Sequence, residues 1–488
     1  MKINGKLPPR LHPHGLVVRF SVLASLLLLS LTSSVTVAKM ADAAGLKWNT
    51  SVIPVSHPII QGGLKCFGSS CFASALTKNL DSEILLYSSD GGISWSTAIV
   101  PTGDEVATPY DCFQGNCVSM ATSNDGSDQS VTYSSDGGIS WKTALDIGSN
   151  FDYFQMQCST NHCLLYVDPK TKSPFSMYSA NTGETWKSAT LSGSTQPVGG
   201  LVCNVNHCLI AASSANSHDG PTAIQTSSNG GASWFPAKLP SIVEAVSFPV
   251  CIKSHCVDVA ASHAAVSAST GGSNIIYSVN SGVSWSTSKL PSKYFKNLFA
   301  PSCDVVTCTT VGSITKSVNV NAASTGNTEL YSRNMGANWS IATFKKSLGP
   351  VEAPACFNTI CIALAKSKYS QNLGGSISSR LLFSSDGGAD WRTAKTEHEI
   401  RFTVPPVCVV KNCIQPGTLN GSDVILFSDD GGASWINLPL PLGIVRTDDA
   451  PTCALQNCIV AASTIHKRNG DYYNRILYVD LNSLQGPS

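Results

Sequence analysis

The chain has 488 residues, too many for one ordinary hydrophobic core, which leaves several domains, a barrel-like fold or a repeat array. Only 13% of the residues are Asp, Glu, Lys or Arg, which disfavours long surface helices, coiled coils and charged disordered segments. The 32 basic and 31 acidic residues nearly balance, so nucleic acid and anionic membranes are not expected as partners.

Residues 1–44 have the layout of a secretory signal peptide. Basic residues lie within the first 19 positions, an apolar stretch runs from Phe20 to about Val37, and residues 41–43 form a small-residue cleavage sequence. An uncleaved anchor is the alternative, although the run is short for a bilayer span and contains Ser and Thr. We expect a secreted protein, in the medium, the periplasm or at the cell surface, with no stable membrane span after cleavage.

The 18 cysteines organise the rest of the chain. They form nine pairs with four residues between the two cysteines, which predicts nine local disulfide bridges in an oxidising compartment. Zinc is the alternative, because His162, His207 and His255 each precede a second cysteine, but structural zinc usually takes closer spacing and four ligands. We therefore expect no metal and no other cofactor. The pairs are Cys66 and Cys71, Cys112 and Cys117, Cys158 and Cys163, Cys203 and Cys208, Cys251 and Cys256, Cys303 and Cys308, Cys356 and Cys361, Cys408 and Cys413, and Cys453 and Cys458.

Nine tryptophans keep the same count, each 17 or 18 residues before the first cysteine of a pair. Eight of them end an eight-residue pattern, called the turn motif below, with Ser at position one, Asp or Asn at three, Gly at five and Trp at eight. An Asx side chain accepts hydrogen bonds from turn N–H groups, Gly permits positive φ, and Trp anchors the returning strand. The motifs occupy residues 88–95, 134–141, 179–186, 227–234, 278–285, 332–339, 384–391 and 428–435.

The turn motif resembles the Asp-box, or BNR repeat, of sialidases, the sortilin ectodomain and other β-propeller proteins. In those proteins the box joins the third and fourth strands of a blade. Four copies here carry Asn for Asp, and two depart at position seven, as Asn338 and Asp390. Eight copies at intervals of 44–54 residues imply a single all-β propeller domain, residues 45–488, of four-stranded blades with one local disulfide each.

The ends of the array predict how the ring closes. Trp48 begins a segment typical of a fourth strand without a third, whereas residues 476–479 are typical of a third strand without a fourth. If the N-terminal strand completes the blade of Cys453 and Cys458, nine blades form a closed ring without exposed sheet edges at its ends. An eight-bladed or irregular ring and an open solenoid are the alternatives.

The variable connections predict where a ligand binds. In a propeller, the cysteine hairpins and turn motifs share one face, and the connections of variable length lie on the other, where function is expected. Arg, carboxylate, His and Tyr residues concentrate there in the last blades and could clamp an anionic ligand; ordinary solvated loop charges are the alternative. Aromatic residues within 151–154 and 293–296 offer a second contact surface; packing between blades is the alternative. The candidates are Glu397, His398, Glu399, Arg401, Arg446, Asp448, Asp449, His466, Arg468, Tyr472, Tyr473 and Arg475.

Two functions follow from the resemblance. The first is a monomeric ligand-binding or interaction propeller whose partner is an unknown protein, peptide or glycan, with no catalytic residue. The alternative is a sialidase-type glycoside hydrolase with a non-standard active site. Sialidases use three arginines, the first ahead of the first box, a Tyr–Glu nucleophile pair and an Asp acid/base, but this chain has no Arg from residue 45 to 332. A relocated site would combine Arg401, Arg446, Arg475, Tyr472 and Glu399.

Overall fold

The structure is a computed structural model that describes residues 46–481 except for 56–57, 62, 78–82, 110, 150, 160, 171–172, 194, 215–220, 263–272, 292–294, 297, 315–326, 345–353, 367–378, 397–399, 403–405, 410, 448–450, 455–456 and 466–471. The predicted leader, residues 1–44, lies outside this part of the chain. No helix within the described residues is long and apolar enough to cross a membrane.

The described strands form nine sheets that follow one another in chain order. Each sheet has four strand positions, numbered one to four from the centre outward, and the first strands of neighbouring sheets adjoin around the ring. The predicted nine-bladed propeller is therefore confirmed. In six blades the first strand is split, and in five of these the interruption contains a proline, which has no N–H to pair: Pro109, Pro249, Pro301, Pro406 and Pro451.

The strands of the first five blades are as follows, from position one to position four. Blade 1 contains Ile59–Ile60 with Lys65–Phe67, Ser70–Leu76, Glu83–Ser88 and Ser96–Thr97. Blade 2 contains Asp104–Val106 with Asp111–Phe113, Asn116–Ser123, Gln129–Ser134 and Lys142–Gly148. Blade 3 contains Phe151–Ser159, His162–Pro169, Phe175–Ser179 and Lys187–Ala189. Blade 4 contains Thr195–Asn204, His207–Ser214, Ala223–Ser227 and Phe235–Pro236. Blade 5 contains Val243–Val246 with Val250–Ile252, His255–Ser262, Ser273–Ser278 and Ser286–Thr287.

The remaining four blades follow the same order. Blade 6 contains Phe295–Lys296 with Ser302–Cys303, Cys308–Ile314, Asn327–Ser332 and Ser340–Ile341. Blade 7 contains Ala355–Phe357, Ile360–Lys366, Ser379–Ser384 and Arg392–Thr393, after which Lys395–Thr396 pairs in parallel with blade 8. Blade 8 contains Arg401–Phe402 with Val407–Val409, Asn412–Leu419, Ser422–Ser428 and Ser434–Leu438. Blade 9 contains Ile444–Thr447 with Thr452–Ala454, Asn457–Ile465, Tyr472–Asp480 and, from the other end of the chain, Asn49–Thr50.

Each of the eight turn motifs joins strands three and four and contains the same three hydrogen bonds. The Ser hydroxyl at position one donates to the side-chain oxygen at position three over 2.7–3.0 Å. The same hydroxyl accepts the N–H of the position-five Gly over 2.8–2.9 Å. The position-three oxygen accepts the N–H of position seven over 2.9–3.0 Å. Asp and Asn are interchangeable here because these bonds require only an oxygen acceptor.

The position-five glycine also leaves space for a side chain of the preceding blade. A Cβ added at this glycine would lie within 2.7 Å of the residue that follows the second cysteine of the preceding blade, as at Gly138 against Phe72 and Gly92 against Ile459. The same relation holds in all eight motifs, and φ at these glycines is 79–95°, so a side chain is excluded by contact and by backbone conformation. Gly92 and Ile459 belong to blades 1 and 9, so the fit continues across the ring closure.

The nine cysteine pairs are all disulfide-bonded. In every pair the two cysteines are directly opposite each other in the hairpin between strands one and two, with Cα atoms 4.0–4.1 Å apart. The predicted local connectivity is confirmed, and no free cysteine remains to bind zinc.

The hairpins and turn motifs lie on one face, as predicted. In seven blades the N–H at motif position four donates to a carbonyl of the disulfide hairpin of the same blade over 2.7–2.9 Å, for example from Gly91 to Ser69. We call this side the turn face. The opposite side, with the connections from strand two to strand three and from blade to blade, is the loop face.

The N-terminal strand closes the ring. Asn49 pairs with Tyr478 and Thr50 with Leu477, which completes blade 9. Trp48 is buried, although it has no turn motif before it. The N–H of Val52, four residues after Trp48, donates to the Ile93 carbonyl of blade 1 over 3.1 Å. In five other blades, the residue four positions after the motif tryptophan makes the same hydrogen bond to the next blade.

Candidate functional site at the loop face of blades 8 and 9

The candidate site begins with a row of residues across blade 8. Arg401 on strand one is opposite Thr418 on strand two, and Thr418 is opposite Asp423 on strand three. Paired strands are about 5 Å apart, so the backbones of Arg401 and Asp423 are separated by roughly 10 Å. Thr418 lies five residues beyond Cys413 along the strand, which places the row at the loop face.

Asp423 connects this row to blade 9. Its carboxylate accepts the backbone N–H of Thr447 over 2.9 Å and the Thr447 hydroxyl over 3.4 Å. Thr447 ends the first strand of blade 9 and directly follows Arg446, which is exposed. The bond therefore fixes the backbone of Arg446 beside the row that contains Arg401.

Within blade 9 the two arginines lie on adjacent rows. Arg446 is opposite Ser463, whereas Arg475 is opposite Ala462, the neighbour of Ser463 on strand two. Because successive residues of a strand point to opposite sides of the sheet, Arg446 and Arg475 lie on different sides of the blade. Only a ligand that covers the end of the blade could contact both.

Asn474 fixes the other side of the site to blade 1. Its side-chain oxygen accepts the N–H of Ile60 over 2.8 Å, and its own N–H donates to Pro58 over 2.9 Å. Its amide nitrogen donates to the Ser463 hydroxyl over 3.2 Å. Asn474 precedes Arg475, so hydrogen bonds between blades fix the backbone on both sides of the predicted arginines.

Blade 8 has a short connection on the loop face. Leu419 and Ser422 are paired, so strands two and three are joined by Asn420 and Gly421 alone, both at positive φ as in tight hairpins. The corresponding connection of blade 7 spans 367–378 in the sequence, and that of blade 9 spans 466–471. The row from Arg401 to Asp423 therefore ends at a two-residue turn between two blades with longer connections.

The structure changes the predicted setting of several candidates. Arg401, Arg446, Tyr472, Tyr473 and Arg475 belong to strands and not to loops, because the pairing of blades 8 and 9 continues further towards the loop face than the sequence pattern indicated. For the two tyrosines and Arg401 only the backbone is described. The other candidates lie outside the described residues: Glu397, His398, Glu399, Asp448, Asp449, His466 and Arg468.

Of the two alternatives for the aromatic residues, the structure shows packing between blades for Phe295. This residue is fully buried and packs in a hydrophobic cluster with Ile275, Leu330 and Trp339. Phe295 lies on the first strand of blade 6, so its ring fills the contact between blades. Residues 151–154 also belong to a strand, Phe151–Ser159.

An acidic region on the loop face of blades 1 and 2 was missed by the motif search. Burial raises the pKa of Glu83, as does the nearby Glu105 carboxylate, against a hydrogen bond from Ser74. Burial and the Asp146 carboxylate raise the pKa of Asp104. The sequence does contain a signal, because residues 45–170 hold twelve acidic and five basic residues. The loop face is therefore acidic at blades 1 and 2 and carries arginines at the adjoining blades 8 and 9.

Comparisons with known proteins add only coarse similarity. No family model and no curated protein matches the chain. A GH74 enzyme of Niastella koreensis is 12% identical with a TM-score of 0.30, covering 83% of this chain and 76% of the enzyme. YCF48 bound to D1 peptide is 12% identical with a TM-score of 0.35, covering 70% and 94%. The polysaccharide lyase Uly1 is 10% identical with a TM-score of 0.38, covering 80% and 92%. Similarity at this level assigns neither a ligand nor a reaction to the chain.

Proposed function

We propose that the chain is a recognition propeller that binds an anionic glycan or peptide at the loop face of blades 8 and 9. The observation that carries the proposal is the bond from Thr447 to Asp423, which holds Arg446 beside the row of Arg401. A guanidinium group forms paired hydrogen bonds with carboxylate, sulfate or phosphate, and its charge is permanent. Asp423 already accepts two hydrogen bonds from Thr447, which partly balance its negative charge within the site.

The proposal includes export. Residues 1–44 are the signal peptide, residues 45–488 form one propeller domain that acts as a monomer, and the destination is outside the cytoplasm. Nine disulfide bridges support this destination, because thiols are kept reduced in most cytoplasms. The shared hydrogen bonds of the eight turn motifs support their assignment as Asp-boxes of the BNR type, a scaffold element that does not itself specify a ligand.

The test is a binding screen with matched arginine variants. The secreted protein is applied to an array of sialylated, sulfated and neutral glycans and of acidic and neutral peptides. We expect binding to anionic members, and Arg446→Ala and Arg401→Ala should each weaken it about tenfold or more, since a charge-assisted hydrogen bond contributes about 1.5–3 kcal/mol. Arg392→Ala is the control, because Arg392 is an exposed arginine on the outermost strand of blade 7.

The outcomes also separate binding from catalysis. Binding that is unchanged in both variants would show that the ligand uses another part of the ring. Hydrolysis of a fluorogenic sialoside by the wild type, lost in Arg446→Ala and retained in Arg392→Ala, would replace the recognition proposal with a sialidase-type hydrolase. A melting temperature equal to that of the wild type verifies that each variant is folded.

A further inference from the structure

One residue of strand three makes the contact between each blade and the next. It lies three positions before the motif serine, or at the equivalent place in blade 9. In six blades it is a buried aliphatic residue that packs in one cluster with the tryptophan of the following blade. We call this contact a seam. The six residues are Leu85, Val131, Ile224, Ile275, Leu381 and Ile476.

Blade 6 places a carboxyl group at this position. Glu329 is 2% exposed and faces Trp391 of blade 7, and neither of its carboxyl oxygens has a hydrogen-bond partner. The indole N–H of Trp391 is directed to the Gly388 carbonyl over 2.8 Å. Burial raises the pKa of Glu329 well above its ordinary value, against a smaller opposing effect of the Trp391 indole. The buried group is therefore favoured in its neutral form.

Within the part of the chain that the structure describes, the charges near this seam lie on the turn face and not around the carboxyl group. Arg333 contacts the Asp386 carboxylate over 3.3 Å and donates to the Asp386 carbonyl over 2.7 Å, which joins the motifs of blades 6 and 7. Asp390 is exposed beside Trp391. On the described strands that pack around Glu329, the residues facing the seam are uncharged: Val311, Ala342, Cys361, Ala363 and Ala365.

The ion pair on the turn face stays charged in mild acid. Burial opposes ionisation of Asp386, but hydrogen bonds from the Asp390 N–H and the Ser384 hydroxyl, together with Arg333, lower its pKa. Mildly acidic pH therefore favours the neutral form of Glu329 without breaking the contact between Arg333 and Asp386.

A second buried carboxyl group lies between blades 4 and 5. Asp258 is fully buried on strand two of blade 5, on the side that carries Cys256 and Ala260 of the cluster with Trp285. One oxygen accepts the Ser247 hydroxyl and the Val259 N–H, while the other has no hydrogen-bond partner. Burial raises the pKa of Asp258 to about 7 despite these bonds.

Among the described residues, the titratable groups near Asp258 lie at the ends of the surrounding strands. Glu244 is on strand one of blade 5 and His255 begins strand two. His207 begins the facing strand of blade 4 and is exposed. None of them contributes to the raised pKa of Asp258, which has burial as its cause.

We propose that the seams at Glu329 and Asp258 are pH-responsive joints in the ring. In mild acid both carboxyl groups are neutral and the two seams pack as firmly as their aliphatic counterparts. As the pH rises, ionisation places an uncompensated charge in each seam and weakens the contact of blade 4 with 5 and of blade 6 with 7. The five seams at Leu85, Val131, Ile275, Leu381 and Ile476 are built from aliphatic side chains and keep their strength.

The direction of the pH dependence follows from proton binding. A carboxyl group with a raised pKa in the folded protein holds its proton where the unfolded chain has released it. The free energy of unfolding therefore falls as the pH rises from the ordinary values, 3.8 for Asp258 and 4.5 for Glu329, and for Asp258 it levels off above about 7. Each carboxyl group raises the unfolding equilibrium constant by up to about tenfold per pH unit in its window.

The experiment compares melting temperature and hydrogen exchange of the secreted protein from about pH 4 to about pH 8, the range set by this linkage. We expect the wild type to melt at lower temperature as the pH rises. Glu329→Leu, which introduces the aliphatic residue type found in six other blades, and the isosteric Glu329→Gln and Asp258→Asn should each flatten the profile. Asp390→Asn is the control, because it removes one exposed carboxylate beside the Glu329 seam.

Hydrogen exchange locates the effect. After correction for intrinsic rates, exchange should accelerate with pH in Asn327–Ser332 of blade 6 and not in Phe175–Ser179, the equivalent strand of blade 3, which carries no carboxyl group. Profiles of Glu329→Leu and Glu329→Gln parallel to the wild type, or equal acceleration in both strands, would overturn the proposal.

Discussion

The turn face and the loop face of the ring differ in how the chain specifies them. On the turn face, eight motifs repeat the same three hydrogen bonds, and each glycine at position five receives a side chain of the preceding blade. On the loop face, the connection between strands two and three is two residues in blade 8, whereas that of blade 7 spans 367–378 in the sequence. Contacts between blades constrain the turn face, so the loop face is where blades can differ and acquire a binding site.

Removal of the closing strand tests this comparison most severely. Deletion of residues 47–55 removes the buried Trp48, the pairing of Asn49 with Tyr478 and the bond from Val52 to Ile93. Loss of one buried tryptophan costs about 3–5 kcal/mol, so we expect the deletion to destabilise the ring by more than about 4 kcal/mol. Thermal unfolding measures the effect.

The control for this deletion is a protein shortened by its last five residues. Its melting temperature should stay close to that of the wild type. If the protein without residues 47–55 had the same melting temperature as the wild type, the contacts of blade 9 with its neighbours would be enough to keep the ring stable without the fourth strand.

A pair of glycine substitutions compares the two faces directly. Gly138 on the turn face and Gly103 on the loop face have nearly equal φ, 91° and 90°, but a Cβ at Gly138 overlaps the buried ring of Phe72, whereas a Cβ at Gly103 meets nothing within 4 Å. Gly103→Ala should cost about 1 kcal/mol for its backbone conformation alone. Gly138→Ala should cost roughly 2–4 kcal/mol more, measured by denaturant unfolding.

If Gly138→Ala and Gly103→Ala lowered the free energy of unfolding equally, the backbone conformation alone would explain both losses. The invariance of the position-five glycine within this chain would then have nothing to do with the fit between blades.

The turn face could be predicted from the sequence because its determinants are local and repeated. The cysteine spacing specified each disulfide, and the tryptophan spacing identified Trp48 as part of a blade before any pairing was known. The eight-residue motif indicated its own hydrogen bonds, since Ser, Asx and Gly at these offsets can satisfy one turn. Nine copies of the cysteine and tryptophan spacings and eight copies of the motif made each of these inferences stronger.

The candidate site could be predicted only in part. The arginines were found by residue type. The hydrogen bond between Asp423 and Thr447, however, joins two residues 24 positions apart in different blades, and it depends on where the strands end at the loop face. No motif marks those ends. The buried Glu329 was missed for another reason: alignment of the blades shows an acid among aliphatic residues, but only the structure shows that it has no partner.

Removal of a single disulfide should have a smaller effect than the glycine substitution. A bridge that closes a six-residue loop contributes about 2 kcal/mol in the chain-entropy treatment. Replacement of Cys112 and Cys117 together by Ala should lower stability by about this amount and leave the other eight bridges intact, as peptide mapping under non-reducing conditions can verify. A loss of the whole fold on removal of one bridge would show that the hairpins act as one unit.

The smallest expected effect concerns position three of the turn motif. Asn181 accepts the Thr185 N–H over 3.0 Å, and Asp136 accepts the Ser140 N–H over 2.9 Å, so Asp136→Asn should change stability by less than about 0.5 kcal/mol near neutral pH. Asp136→Ala removes the acceptor and should cost about 1–2 kcal/mol, measured by denaturant unfolding.

The acid range distinguishes the two side chains. Burial opposes ionisation of Asp136, but the hydrogen bonds from Ser140 and Ser134 lower its pKa. The carboxylate therefore contributes stability that is present above its ordinary value of 3.8 and is lost as the pH falls through the lowered pKa. Asp136→Asn should lose less stability than the wild type on acidification in this range, because its amide does not titrate. A steeper acid loss in Asp136→Asn than in the wild type would contradict the view that the turn motif uses this side chain only as an oxygen acceptor.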